Sequence, residues 1–89
     1  MENNQTVVNM NSKEKFYEVI AKAINIPVAQ VTDSLQYQEI PEWDSVTHLS
    51  IVSELETYFQ IAIDMNDVLE MGSVGKIIVL LEKYNIHFK

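Results

Sequence analysis

Apolar residues recur at three- and four-residue spacing in three segments of the chain, and this spacing predicts amphipathic helices. The first segment begins at Asn11 or Ser12, either of which can cap a helix, and ends before Pro27, which disfavours helical geometry at the preceding residue. The second covers about residues 45–59, and the third about residues 73–84 with Ser73 as the cap. The apolar residues that recur at this spacing are Phe16, Val19, Ile20, Ala23 and Ile24; Val46, Leu49, Val52, Leu55 and Phe59, flanked by Ile51; and Val74, Ile77, Ile78, Leu81 and Tyr84.

A shorter helix is predicted over residues 65–70, with Asp64 as its cap and Gly72 as its stop. Gly75 lies in the first turn of the last helix, where it costs about 1 kcal/mol against alanine and predicts fraying. A long first loop joins the first two main helices, and its apolar residues predict that it packs across them. These residues are Val28, Val31, Leu35, Tyr37, Ile40 and Trp43.

The predicted fold is all-α: a four-helix bundle of three main helices and one short helix, with a long ordered first loop. It occupies residues 12–89 and follows a loose, asparagine-rich tail over residues 1–11. The chain of 89 residues has room for one domain. The fold is predicted to be all-helical because glycine and proline are sparse and the alternating apolar and polar pattern of strands is missing.

Charge and composition exclude several functions. Thirteen acidic residues against six lysines and no arginine give a net charge of −7, which disfavours binding to nucleic acid or to an anionic membrane. Without cysteine there is no disulfide, thiolate zinc site or thiol nucleophile. The calcium-loop-like pair Asp64 and Asn66 is followed by Leu69 where such a loop needs glycine, so no metal site is predicted. The polar, acidic start and the short apolar runs predict a soluble, cytoplasmic protein.

A catalytic interpretation would rest on His48, three residues after Ser45 and therefore on the same face of a helix, with Asp44 adjacent. Triad members normally converge from distant segments beside oxyanion donors, so we expect an exposed polar histidine and no enzyme active site. His87, near the end of the chain, is also expected to be exposed. A small hydrolase using Ser45 and His48 remains the weakest of the functional hypotheses.

The junction from Glu42 to Val46 places the hydroxyl of Ser45 at the start of a clean amphipathic helix, directly after the long loop. The ordinary role of a serine there is that of an N-cap. The stretch WDSVTHL over residues 43–49, followed by LETYFQI over residues 55–61, nevertheless resembles the second helix of the acyl carrier protein family, which includes peptidyl carrier domains. The acidic short segment and apolar last helix that follow fit the same family, so the resemblance covers about residues 12–86.

Asp33-Ser34-Leu35 is the literal tripeptide of the family, whereas the junction reads Asp44-Ser45-Val46. Position decides between them. Pro41 would break a helix that began at Ser34, while Ser45 opens the helix that carries the family pattern. Ser45 is therefore the predicted site.

The resemblance implies that a phosphopantetheinyl transferase moves 4′-phosphopantetheine from coenzyme A onto Ser45. Acyl groups then ride on the arm as thioesters between acyl-loading and acyl-processing enzymes, with the carrier acting as a monomer. The resemblance further implies that Asp44 orients the site and meets the transferase, and that Val46, exposed in the first turn, contacts partners. The helix start is expected to offer unpaired N–H groups to the new phosphate. The acidic residues expected to meet partner enzymes are Glu42, Glu54 and Glu56.

Two departures from the family pattern are visible. Uncharged residues interrupt the acidic residues of the second helix, and no glycine precedes the Asp-Ser pair. Both features resemble stand-alone carriers of specialised pathways (polyketide, amino-acid or cell-surface precursor assembly) more than the carrier of housekeeping fatty-acid synthesis. The alternative to a carrier is an acidic helical interaction module in which Ser45 is only an N-cap.

Overall fold

Four α-helices make up most of residues 10–88, the part of the chain that the computed structural model describes. In chain order these are α1 (Lys13–Ile24), α2 (Ser45–Phe59), α3 (Met65–Val68) and α4 (Val74–Glu82). A turn of 3-10 helix, Val28–Gln30, lies in the long loop, and two short strands, β1 (Met10–Asn11) and β2 (His87–Phe88), lie at the ends of this region. The prediction of an all-α fold is confirmed for these residues.

Both ends of α1 are fixed by local hydrogen bonds. The Ser12 hydroxyl accepts from the amide of Lys15 at 3.2 Å, as an N-cap does. The helix ends at Ile24, because Asn25 takes a left-handed conformation (φ 61°) and its N–H bonds to the carbonyl of Ala21. The helix therefore stops before the residue that Pro27 restricts, since asparagine tolerates the left-handed region better than most residues.

The last two residues of the predicted loose tail, Met10 and Asn11, form strand β1. Met10 pairs with His87 and Asn11 with Phe88 in a parallel arrangement, and the Asn11 side-chain amide donates to the carbonyl of His87 at 3.3 Å. The ring of Phe88 lies 5.0 Å from that of Phe16, which ties β2 to the core. His87 is half-buried in β2, so the expectation that it would be exposed is wrong. Residues 1–9 of the predicted tail lie outside the described residues.

The core forms where α1 packs against α2, with the loop and α4 closing it. On α2 the buried face consists of Ile51, Val52 and Leu55, which are 0%, 8% and 0% exposed. The predicted stripe is wrong at its start, because Val46 and Leu49 are 71% and 57% exposed. One turn before Ile51 and Val52, the inward position belongs to His48. The largest fully buried side chains of the core are Trp43, Phe16, Ile20, Ile24, Ile51, Leu55, Met71, Ile77, Leu81 and Val74.

The long loop is bonded to the start of α4. The amide of Val74 donates to the carbonyl of Leu35 at 3.0 Å, and the amide of Gly75 donates to the carbonyl of Asp33 at 2.8 Å. A Cβ atom at Gly75 would lie 3.1 Å from that Asp33 oxygen. The glycine that predicted fraying therefore permits a close backbone approach. As predicted, the loop packs into the core through the buried side chains of Val31, Leu35 and Trp43, but its Val28 is 46% exposed.

Candidate functional site

The start of α2 is built around Asp44, which is its N-cap. The Asp44 carboxylate accepts from the amides of Val46 at 3.0 Å and Thr47 at 2.9 Å. The Thr47 hydroxyl in turn accepts from the Asp44 amide at 2.9 Å and donates to the carbonyl of Glu42 at 2.6 Å. This reciprocal capping box fixes both the helix start and the chain that enters it. The Thr47 amide, followed by the Thr47 hydroxyl and the Val46 amide, holds the pKa of the Asp44 carboxyl below its ordinary value.

Ser45 is the first residue inside the helix, so the interpretation of Ser45 as an N-cap is wrong. Its side chain is exposed, and its hydroxyl has no hydrogen-bond partner among residues 10–88. The cap is one residue earlier because the side chains of Asp44 and Thr47 satisfy each other's backbone N–H groups. The Ser45 hydroxyl thus lies at the exposed start of α2, which is capped without it.

The expected unpaired N–H groups at this helix start are largely occupied. The amides of Val46 and Thr47 bond to the Asp44 carboxylate, and that of His48 bonds to the Asp44 carbonyl at 2.8 Å. A phosphate on Ser45 would therefore lie beside a carboxylate that has already taken two of the helix's free donors. The expectation that this helix start offers unpaired N–H groups to the phosphate is therefore wrong for the amides of Val46 and Thr47.

Ser45 opens onto a surface groove of about 300 Å³ between α2, α3 and the long loop, which we call the Ser45 groove. Most of its lining is apolar, and Tyr37 and His48 are its only titratable members. A groove of this size can hold a small extended apolar group. Its lining residues are Tyr37, Ser45, His48, Leu49, Met65, Val68, Leu69, Met71 and Gly72.

His48 forms the inner wall of this groove and is half-buried, so the expectation of an exposed histidine is wrong. The buried Trp43 indole N–H donates to His48 Nδ1 at 2.9 Å, and His48 Nε2 lies 3.1 Å from the carbonyl oxygen of Val68 in α3. An indole nitrogen only donates and a carbonyl only accepts, which assigns the proton to Nε2. Both ring nitrogens are occupied, so neither is left to take a proton from Ser45.

Exposed apolar side chains surround the outer side of the groove. Leu49, Met65 and Leu69 line it and are 57%, 67% and 78% exposed. Val46 lies one turn before Leu49 on α2 and is 71% exposed, as the carrier-protein resemblance implies. Exposed apolar residues gathered in one place mark binding surfaces more often than isolated ones do.

The acidic residues expected to meet partners have different surroundings. Glu42 is exposed beside the cap. The Glu54 carboxylate is 4.0 Å from the ammonium of Lys22 on α1, and the Glu56 carboxylate accepts from the amide of Ile63 at 2.8 Å. Glu54 and Glu56 thus have contacts within the chain, while the outward face of α2 carries the apolar residues of its first turns.

Helix α3, only four residues long, is held in place by Asp67, a buried aspartate that the sequence patterns did not indicate. Its carboxylate accepts from the Lys83 ammonium at 2.7 Å and from the Tyr84 hydroxyl at 2.5 Å. The Tyr84 oxygen also accepts from the amide of Asp64 at 2.9 Å. The hydrogen bond from Lys83, followed by that from Tyr84, holds the pKa of Asp67 below its ordinary value. Spacing along the chain gives no signal for this network, because its two halves lie in α3 and after α4.

The second Asp-Ser pair lies in a turn of the long loop and opens no helix. The Asp33 carboxylate accepts from the Tyr17 hydroxyl at 2.6 Å and pairs with the Lys13 ammonium at 3.0 Å. These two bonds, that of Tyr17 first, hold the pKa of Asp33 below its ordinary value. Ser34 shares a hydrogen bond with the hydroxyl of Thr32 at 3.1 Å. Asp33 therefore fastens the loop to α1, in contrast to the capping role of Asp44.

Two negative findings concern residues 10–88. No helix in this range combines the length and the apolar character needed to cross a bilayer. No three histidine or carboxylate side chains in the described region are grouped so as to hold a metal ion.

Comparison with known proteins gives no match, either to the protein-family models or to the curated proteins.

Proposed function

We propose that this protein is a carrier of acyl groups, with a 4′-phosphopantetheine arm attached to Ser45 Oγ. The observation that carries the proposal is the placement of Ser45. It is the first residue of α2, it is exposed, its hydroxyl has no hydrogen-bond partner among residues 10–88, and it lies between the Asp44 cap and an apolar groove. The four helices and long first loop agree with the carrier arrangement that the sequence resembles, and the acyl-carrier-like bundle is part of the proposal.

In the proposed modification, Ser45 Oγ attacks the phosphorus of coenzyme A that bears the pantetheine. The phosphorus–oxygen bond to serine forms, the pyrophosphate bond breaks, 3′,5′-ADP leaves, and a base of the transferase accepts the hydroxyl proton. The arm supplies the thiol, which this cysteine-free chain lacks, and acyl groups are carried on it as thioesters.

The surroundings of Ser45 suit such an arm. Because Asp44 already satisfies the amides of the first turn, the phosphodiester would be attached to the helix covalently and otherwise stand in solvent. Leu49, Met65 and Leu69 offer apolar surface to the acyl group or to the entrance of a partner enzyme. Transferase, acyl-loading and acyl-processing enzymes are the proposed partners, in a specialised pathway and a cytoplasmic location.

The test is incubation with a phosphopantetheinyl transferase of broad specificity and coenzyme A, followed by intact mass measurement. We expect wild type and the control Ser34→Ala each to gain one phosphopantetheine, and Ser45→Ala to gain none. Modification of Ser45→Ala would place the site elsewhere. Absence of modification in wild type, with a transferase shown to be active on another carrier, would contradict the proposed function.

The second candidate is an acidic helical interaction module, and the exposed apolar side chains around the Ser45 groove favour it. In that case Ser45 has no chemical role. Its hydroxyl would stay unmodified in protein purified from the native host, whereas a carrier would be recovered at least partly with the arm. Intact mass of the native protein therefore separates the two candidates.

A further inference from the structure

His48 joins three elements at the inner wall of the Ser45 groove: α2 itself, the end of the long loop and α3. Its ring lies on α2, is nearly coplanar with the hydrogen-bonded Trp43 indole of the loop (19° between the ring planes, centroids 6.0 Å apart), and bonds to the carbonyl of Val68 in α3. The ring of Tyr37 packs on it from the loop at 5.2 Å. Because α3 has only four residues, it depends on such tertiary bonds for its position.

We propose that His48, in its neutral form protonated on Nε2, is the positioning residue of the Ser45 groove. It acts through Trp43 and Val68: Nδ1 accepts from the indole, and Nε2–H donates to the α3 carbonyl. The ring thereby fixes α3, which contains Met65 and is followed directly by Leu69, and both residues line the groove. Ser45 and His48 lie three residues apart on α2, so a displacement of this wall changes the surface next to the serine directly.

The same geometry makes the wall responsive to protonation of the ring. A proton on Nδ1 would set two donors against each other, because the Trp43 indole nitrogen cannot accept. The bond to Trp43 must then break, and the ring must move or admit water, which loosens its hold on Val68. Protonated His48 is therefore expected to release α3 from α2.

The other ionisable groups near His48 are few and are bonded elsewhere. Tyr37, from the loop, is the only other titratable residue that lines the groove. On α2 the Asp44 carboxylate is bonded to the amides of the first turn, and on α3 the Asp67 carboxylate is bonded to Lys83 and Tyr84. While His48 is neutral, none of the residues that line the groove carries a charge. A pH response of the groove that breaks the bond between Trp43 and His48 therefore belongs to the His48 ring.

The first test uses the unmodified 89-residue protein and needs no transferase. Nitrogen-15 NMR of the histidine rings should show His48 protonated on Nε2 at pH 7.5, with the Trp43 indole proton protected from exchange. On acidification, the Trp43 indole signal and the amide signals of α3 should shift together with the His48 ring signals. His87→Gln is the matched control and should leave this titration unchanged, while His48→Gln should abolish it.

Two results would overturn the proposal at this stage. One is a His48 ring protonated on Nδ1 at pH 7.5, which the Trp43 bond forbids. The other is a Trp43 indole signal that stays constant while His48 is protonated. In His48→Ala, which removes the donor to the Val68 carbonyl together with the ring, hydrogen exchange of the α3 amides should rise about fivefold, the factor that corresponds to one ordinary hydrogen bond of about 1 kcal/mol. Unchanged exchange would also contradict the positioning role.

The effect on arm transfer rests on the proposed function, and its failure can be told apart. The ratio of the transfer rate in wild type to that in His48→Gln should fall as the pH is lowered through the protonation of His48, while the ratio to His87→Gln stays constant. A constant ratio to His48→Gln, with transfer occurring at Ser45, would refute the positioning role in transfer. Absence of transfer in wild type would refute the carrier function, and the NMR results would then decide the structural coupling of His48 by themselves.

Discussion

Replacing Asp44 and Ser45 separately tests the assignment of cap and site. Both residue types are good N-caps, and they are neighbours, but the structure gives the capping bonds to Asp44 alone. Asp44→Ala removes the acceptor of the Val46 and Thr47 amides and one half of the capping box. Ser45→Ala removes a hydroxyl that bonds to nothing among residues 10–88 and puts a strong helix former in the first turn.

The expected sizes differ accordingly. Loss of one side-chain cap lowers the melting temperature of a domain of this length by about 4–8 °C. Asp44→Ala should fall in this range, whereas Ser45→Ala should remain within about 2 °C of wild type, as an exposed substitution does. Asp44→Asn is the matched control, because asparagine caps about as well as aspartate but carries no charge.

The assay is thermal unfolding followed by far-ultraviolet circular dichroism, with urea unfolding to confirm that the m-value is unchanged. If Ser45→Ala lowered the melting temperature as much as Asp44→Ala, Ser45 would be a structural cap and the assignment of the helix start would be wrong. Asp44→Asn adds a functional comparison. If it keeps the melting temperature but slows phosphopantetheine transfer, the transferase recognises the charge, and if it changes neither, Asp44 acts through the cap.

Three further pairs of measurements test the fold and its electrostatics. Gly75→Ala should destabilise the protein by about 1–2 kcal/mol in urea unfolding, because the new Cβ would lie 3.1 Å from the Asp33 carbonyl oxygen. Gly72→Ala, whose Cβ would have its nearest neighbour at 3.9 Å, should be neutral or slightly stabilising. Equal effects of the two substitutions would contradict the close approach at Gly75. Ile51→Ala should lower the free energy of unfolding by about 2–5 kcal/mol and Leu49→Ala by less than about 0.5 kcal/mol, because Ile51 is 0% and Leu49 57% exposed. The reverse order would mean that the stripe through Val46 and Leu49 is the buried face of α2. A lysine and a tyrosine hold the pKa of Asp67 low, so its contribution to stability is complete above roughly pH 4 and is lost as the pH falls through the lowered pKa. Asp67→Asn should therefore narrow the difference in urea midpoint between pH 6 and pH 3, and a difference as wide as that of wild type would argue against the contribution.

The positions of the helices follow from local patterns, which is why they could be predicted from the sequence. The three main helices begin at or within a residue or two of the predicted caps, since spacing and capping are properties of neighbouring residues. The buried face of α2 was harder to predict from the sequence, because two stripes of residues at helical spacing overlap on this helix. One contains Val46 and Leu49, and the other replaces them with a histidine, which a hydrophobic pattern counts as polar.

The parts that could not be predicted depend on contacts between distant residues. The ring of His48 is satisfied only because the Trp43 indole and the Val68 carbonyl meet it from two other segments. Asp67 is likewise buried only because Lys83 and Tyr84 reach it from beyond α4. Polar side chains like these are read as exposed from sequence, since the bonds that compensate their burial leave no local signature.

The acidity of the chain acquires a more specific meaning from these contacts. The net charge of −7 argues against nucleic acid as a partner and for partners with basic patches. Around Ser45, however, the large apolar side chains that are exposed are Val46 and Leu49 on α2 and Met65 and Leu69 at the two ends of α3. The Glu54 carboxylate lies 4.0 Å from the Lys22 ammonium, and the Glu56 carboxylate accepts from the Ile63 amide. On the proposed function we therefore expect long-range charge to set the rate of encounter and the apolar surface to hold the docked partner. Salt should then slow association with the transferase while leaving the dissociation rate nearly unchanged, and a substitution such as Leu69→Ser should do the opposite.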